Sequence, residues 1–196
     1  MTLKTTAITL VAAAAALAGC GGGSALGNAP NIENPAQTGG RKLSYEYFQR
    51  CINPIFLAVI AGSGSTNTCA SSGCHDTVAG TGGALRVVPS ATIIDLSDPA
   101  NTPDVVRTQD MYKNYYSSQG VTVIGAPTQS RLFQKPLLLN VLHGGGLIFA
   151  SQTDEFPKRI AYWISHPMPE TQDEFGNAGN ALFSNGDPKT GSCNFQ

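Results

Sequence analysis

Apolar and polar positions alternate with a changing period along the chain, and each change predicts an element. Tyr45, Tyr47, Phe48, Cys51 and Ile52 recur at helical spacing, which predicts a helix with one face on a core and Ser44 as its N-cap. Pro54 stands inside that pattern and is expected to end or kink the helix, with Ile55 to Ile60 continuing as a second short turn. Gly62 to Thr68 is a polar loop. From Gly80 to Leu96 the pattern shifts to short β-prone runs around Pro89, which predict a small hairpin or plain extended chain. Thr102-Pro103-Asp104 opens another helix, with proline at the first position and an acid in the first turn. It is expected to run to about Tyr116, with Met111 in the core, and to stop near Gly120. Val121 to Ile124 reads as a short extended stretch. Ser130 to Phe133 begins a short helix interrupted by Pro136, and Leu137 to Leu142 is a further helix candidate. The last clear helix runs from Thr153 as N-cap through Phe156, Ile160, Trp163 and Ile164, with Pro157 tolerated in its first turn. Beyond Pro167 the chain is polar and rich in Gly and Asn. The expectation is a mostly α domain of short helices and long loops with a small extended insertion.

The N-terminus carries a different signal. Lys4 precedes an apolar run from Ala7 to Leu17 that is too short to cross a bilayer and ends in small residues, the form of a secretory signal. Leu17-Ala18-Gly19-Cys20 resembles the lipobox of bacterial lipoproteins. That resemblance implies removal of residues 1–19 and attachment of a diacylglycerol to the Cys20 thiol, which becomes the first mature residue. Residues 20–42 are rich in Gly, Asn, Pro and Ala without apolar periodicity, and are expected to act as a flexible tether. The folded domain is then 43–196. The implied location is the cell envelope, on the periplasmic face or at the surface. Gly21 carries no inner-membrane retention signal, which favours the outer membrane.

Charge narrows the partners. The formal net charge is −1 and only 13% of residues are charged, against about 25% in typical domains. No basic patch is present, so nucleic acid is not an expected partner. The only expected membrane contact is the lipid anchor, because no second apolar run approaches the roughly 20 residues of a spanning helix. Neither a nucleotide-binding glycine fingerprint nor a Gly-x-Ser-x-Gly nucleophile turn occurs.

Five cysteines are present, and the lipid would take one, leaving Cys51, Cys69, Cys74 and Cys193 in an oxidising compartment. Two fall in Cys69-Ala70-Ser71-Ser72-Gly73-Cys74-His75. Covalent attachment of haem c needs two thiols to meet two vinyl groups and a histidine directly after the second to bind iron. The common form has two residues between the cysteines; here there are four, all small enough to loop out. Zinc is a poorer match, since no second ligand pair stands at finger-like spacing. If Cys69 and Cys74 hold a haem, Cys51 and Cys193 remain to form a disulfide joining the first helix to the C-terminal tail. Two disulfides among the four cysteines, in any of three connectivities, balance equally well. Parity does not decide.

The order of motifs resembles the class I-like c-type cytochrome domains of exported bacterial proteins. Asn53-Pro54-Ile55-Phe56 precedes the attachment motif, Gly82-Gly83-Ala84-Leu85 follows it, and Gly125-Ala126-Pro127-Thr128-Gln129-Ser130-Arg131-Leu132 matches a Gly-x-Pro-x-x-Ser-x-Leu segment. The set closes with Trp163-Ile164, and the resemblance covers roughly Tyr45 to Ser165. It implies helices wrapped around one covalent haem c, attached through Cys69 and Cys74, with His75 as proximal iron ligand. The distal-ligand loop falls at Leu142-His143-Gly144-Gly145-Gly146, which makes His143 the implied sixth ligand. Met168, in a Met-Pro pair, is the alternative, although it follows the Trp-Ile helix and so stands out of order. His166 reads as an ordinary helix-terminal histidine. The implied function is a membrane-anchored, non-catalytic monohaem carrier of single electrons between redox proteins of the envelope. The alternatives are a haem-free, disulfide-stabilised lipoprotein serving as a binding or structural module, and a five-coordinate haem with a catalytic or sensing role.

Overall fold

The computed structural model describes residues 40–60 and 66–196. The signal segment, Cys20 and nearly all of the tether lie outside the described residues. Helices α1 (Tyr45–Tyr47), α2 (Asn53–Leu57), α3 (Pro103–Arg107), α4 (Asp110–Gln119), α5 (Arg131–Gln134) and α6 (Glu155–Ser165) carry the fold. Short 3-10 segments supplement them at Pro127–Gln129, Lys135–Leu137, Asn177–Leu182 and Ser184–Gly186. The mostly helical expectation holds. Among the described residues β pairing is limited to isolated bridges, at Val59 with Thr68, Asp76 with Val87 and Phe183 with Cys193.

The first helix starts where its cap predicts, with the Ser44 hydroxyl accepting from the Tyr47 amide. It does not break at Pro54. Phe48–Ile52 instead forms a π-turn, in which the Asn53 amide reaches back to the Phe48 carbonyl, and α2 follows with Pro54 in its first turn. The missing proline N–H then leaves no interior bond unmade. The helical pattern of α2 stops at Leu57, short of the expected Ile60.

Tyr45, Tyr47, Phe48, Cys51 and Ile52 are fully buried, with Trp163 and Ile164 of α6 and Tyr112 and Tyr115 of α4 around them. Phe48 meets Trp163 at 5.4 Å and Tyr115 at 5.5 Å between ring centroids, distances at which tilted and edge-to-face pairs are favourable. The polar ends of Trp163 and Tyr115 are satisfied within the core, whereas the buried Tyr45 hydroxyl has no hydrogen-bond partner among the described residues. The Trp163 indole N–H donates to the Ser44 carbonyl at 2.9 Å, and the Tyr115 hydroxyl donates to the Leu43 carbonyl at 2.7 Å.

The β-prone stretch after Gly80 forms extended chain and no hairpin, because two buried amide side chains take the place of a partner strand. Asn114 of α4 accepts from the Val88 amide and donates to the Val88 carbonyl, at 2.7 and 3.1 Å. Gln49 does the same for Ile94, at 2.9 and 3.0 Å. The single predicted helix after Thr102 is divided at Thr108 and Gln109 into α3 and α4. Of the expected helix over Leu137 to Leu142 only Leu137 is helical, as the end of a 3-10 turn that Leu138 closes with a φ of 52°, and Asn140 follows with a φ of 58°. Val121 to Ile124 forms turns, and α6 is capped by Asp154, one residue beyond the predicted Thr153.

The C-terminal tail is bound into the core by more than one covalent tie. Cys51 and Cys193 are joined, with their Cα atoms 5.9 Å apart. Leu182 and Phe183 are buried, and Glu174, fully buried, accepts from the Arg107 guanidinium and from the Tyr112 hydroxyl at 2.7 Å. Met168 is buried with its amide on the Lys42 carbonyl.

Candidate functional site

A cavity of about 750 Å³ opens between α2, the loop from Cys69 to Leu85, the start of the Lys135–Leu137 turn, and the loop from His143 to Phe149. It lies within the roughly 300–1,000 Å³ typical of small-molecule and cofactor sites. Cys69, Cys74, His75 and His143 all line it, so residues far apart in the sequence converge on one space. Met168 does not line it; its sulfur sits beside Gly179 instead. His166 is exposed, with its ring on Tyr162 at 4.0 Å and Nδ1 donating to the Tyr162 carbonyl.

The loop bearing Cys69 and Cys74 is held by its own backbone. The His75 amide donates to the Cys69 carbonyl, the Cys74 amide to Ser71, and the Gly82 amide to Cys74 at 2.7 Å. Gly73 turns the chain with a φ of +84°, a conformation open to glycine at little cost. Cys69 and Cys74 are both free and half-buried. Burial pushes the Cys69 thiol up from 9.0 to about 11, and its neighbour Cys74 adds to the effect. At neutral pH Cys69 is therefore a thiol, and a poor nucleophile or thiolate ligand.

His75 and His143 face each other across the cavity with ring centroids 6.2 Å apart and ring planes within 10° of parallel. Each Nδ1 is engaged by a backbone carbonyl, His75 with Leu85 at 3.0 Å and His143 with Gly146 at 2.8 Å. A carbonyl only accepts, so both Nδ1 atoms carry a proton, and in the neutral form of each ring the lone pair falls on Nε2. Burial also holds the His75 imidazole below its ordinary value; the Leu85 bond opposes this, while the charges of His143, Arg86 and Lys135 act with burial. The ring is neutral at neutral pH, the form that binds a metal. Two imidazoles sharing one ion would have centroids about 6 Å apart, twice the sum of a metal–nitrogen bond of about 2 Å and the roughly 1 Å from nitrogen to ring centre. The observed separation agrees.

Glycine is required beside the His75 ring, and a larger residue beside the His143 ring would press on it. A Cβ at Gly82 would lie 2.5 Å from the His75 Nδ1, and one at Gly145 would lie 3.2 Å from the His143 Cε1. Sequence reasoning identified the four side chains of this site but missed what orients them. The Leu85 and Gly146 carbonyls carry no side-chain signal, although the glycine runs at 82–83 and 144–146 mark where backbone approaches a ring. Arg131 and Lys135, which line the lobe of the cavity nearest the two histidines, were also missed. Their four-residue spacing after Ser130 was the available signal.

Among the described residues no group of three or more His, Cys, Asp or Glu is placed to hold a bare metal ion. No described helix is long and apolar enough to cross a membrane. No family model, curated protein or solved structure matches the chain.

Proposed function

We propose that the chain is a monohaem c-type cytochrome, held to a membrane of the cell envelope through Cys20 and passing single electrons between redox proteins. The observation that carries this reading is the pair of opposed imidazoles, each with its Nδ1 proton committed to a backbone carbonyl and its Nε2 free, in the cavity that also holds two free thiols. Two nitrogens across a gap are two of the six donors that a six-coordinate iron takes. A planar macrocycle lying between them would supply the remaining donors.

The residues present suit haem c. Cys69 and Cys74 would form the thioethers, His75 would be the proximal ligand and His143 the distal one. When bound, a haem held by both histidines would supply one-electron exchange. The protein's part follows from its geometry. The Leu85 and Gly146 carbonyls hold the rings in one tautomer and one orientation and make them better donors. Ile55, Phe56, Leu132 and Ile160 wall the cavity and keep water from the ligand face. The lipid at Cys20 would confine the carrier to a membrane surface, which raises its effective concentration near anchored partners.

The test is expression of the full chain with haem-attachment machinery, followed by mass measurement and visible spectroscopy. The expected result is one covalent haem with a low-spin, six-coordinate spectrum, converted to a five-coordinate or water-bound form by His143→Ala. Absence of covalent haem from the wild-type chain refutes the reading. An unchanged spectrum in His143→Ala removes His143 as the sixth ligand.

A further inference from the structure

The cavity is electrically asymmetric. Arg131, the first residue of α5, and Lys135, four residues on, line a lobe of about 70 Å³ that includes His75 and His143. Neither cation pairs with a carboxylate among the described residues. Cys69 lines a different lobe, with Asp154 and Glu155 at its margin, and the two lobes share no lining residue. The lobe of Arg131 and Lys135 is therefore cationic with no carboxylate in its lining, and the lobe that Cys69 lines carries acids and no base, while Lys135 also reaches the main cavity.

We propose that Arg131 and Lys135 form a clamp for the two carboxylates of the bound tetrapyrrole. This inference rests on the cytochrome reading. The vinyl groups and the propionates of haem occupy opposite edges of the ring. Thioethers to Cys69 and Cys74 would therefore direct the carboxylate edge to the lobe of Arg131 and Lys135. The arginine fork offers paired N–H donors to a carboxylate, and lysine offers a mobile point charge. Arg131 is exposed, so the pairs act under solvent screening, and their effect falls on the electrostatics of the iron more than on folding stability. Two anionic groups near the iron favour its oxidised form, and the clamp offsets them.

The test compares wild-type holoprotein with Arg131→Gln/Lys135→Gln and with the charge-conserving Arg131→Lys/Lys135→Arg. The expected double-glutamine protein retains covalent haem of unchanged mass, shows a shifted propionate bending band in its resonance Raman spectrum, and has a lower midpoint potential. The conservative pair restores band and potential. Covalent haem with both band and potential unchanged overturns the clamp and leaves the cytochrome reading standing. Slower exchange with a redox partner at unchanged band and potential also overturns it, by assigning the cations to a protein surface. Absence of haem from the wild-type chain overturns both readings.

Discussion

Gly82→Ala tests whether the His75 ring is held by a backbone clamp. The added Cβ would lie 2.5 Å from the His75 Nδ1 and 2.6 Å from both the ring Cε1 and the Cys74 carbonyl oxygen. All three contacts are closer than real Cβ atoms come, and two of the atoms belong to a ring that is itself bonded to Leu85. The methyl must displace the ring, breaking the Nδ1 bond to Leu85, or lift the loop off the Gly82–Cys74 hydrogen bond. Overpacking of this kind costs about 1–3 kcal/mol, and losing one hydrogen bond adds about 1. Reduced freedom of the unfolded chain returns about 0.4–1 kcal/mol. The expected net loss is therefore about 1–3.6 kcal/mol, read as a lower urea midpoint at unchanged slope. Gly144→Ala is the control: its Cβ would meet nothing within 4 Å although it adjoins His143, and it should leave stability unchanged or raise it by up to about 1 kcal/mol. In the haem-bearing protein, Gly82→Ala should also alter the axial-ligand spectrum, whereas Gly144→Ala should not. Equal urea midpoints for the two variants would show that Gly82 does not clamp His75.

Two further outcomes follow from the covalent tie and the buried phenols. Cys51 and Cys193 are 142 positions apart, and closing a loop of that length is worth about 5 kcal/mol in the chain-entropy description, with roughly 2–5 usual when native disulfides are removed. Cys51→Ala/Cys193→Ala should lose stability in that range by urea denaturation, and a loss below about 1 kcal/mol would show that the noncovalent contacts of the tail suffice. Burial raises the hydroxyls of Tyr45, Tyr47 and Tyr115 far above the ordinary 10.0. Their folded values exceed their unfolded ones, so this stability is fully present below about pH 9 and is lost as pH rises, with the Cys69 thiol, raised to about 11, acting in the same direction. Tyrosinate absorbance from these three rings should therefore appear only with the unfolding transition, and free titration of all six tyrosines near pH 10 in the folded protein would contradict the packing.

What could be read in advance was whatever local chemistry decides. Ser44 and Thr102 cap their helices because each hydroxyl lies three residues before an amide it can accept from. Trp163 and Ile164 fell in the core because the helical stripe admits few other placements. The cysteine motif and the glycine-flanked His143 were visible as chemistry, and folding brought them to one cavity. What escaped depends on distant partners. Nothing near Val88 or Ile94 reports that Asn114 and Gln49 will satisfy their backbones, so a hairpin and extended chain were equally legible. The π-turn before Pro54 was also hidden, because proline's local rule forbids an interior position without prescribing how the preceding turn widens. The tail read only as polar and rich in Gly and Asn because its anchors, Glu174 on Arg107 and Tyr112 and Phe183 against Tyr47, each join positions more than sixty residues apart.

The two histidines are supported unequally, and this bears on how the site would behave. The His75 loop is tied by the Gly82 amide on Cys74, the Val87 amide on the His75 carbonyl, the Thr77 amide on Val87, and a buried Arg86 whose guanidinium donates to the Asp76 and Gly80 carbonyls. The His143 loop is tied by its own turn, Gly146 to His143, and by Ile148 and Phe149 on the Pro136 carbonyl, while Leu142 and Leu147 stand 92% and 57% exposed beside it. Local opening free energy rises with buried contacts and protected hydrogen bonds, so the distal loop is the part of the cavity that opens first. If the chain takes up a haem, opening of this loop while the cysteines and His75 stay in place would admit the planar group from the His143 side. Under the cytochrome reading, Gly144, Gly145 and Gly146 would let the polypeptide approach a bound ring closely and would also let it withdraw.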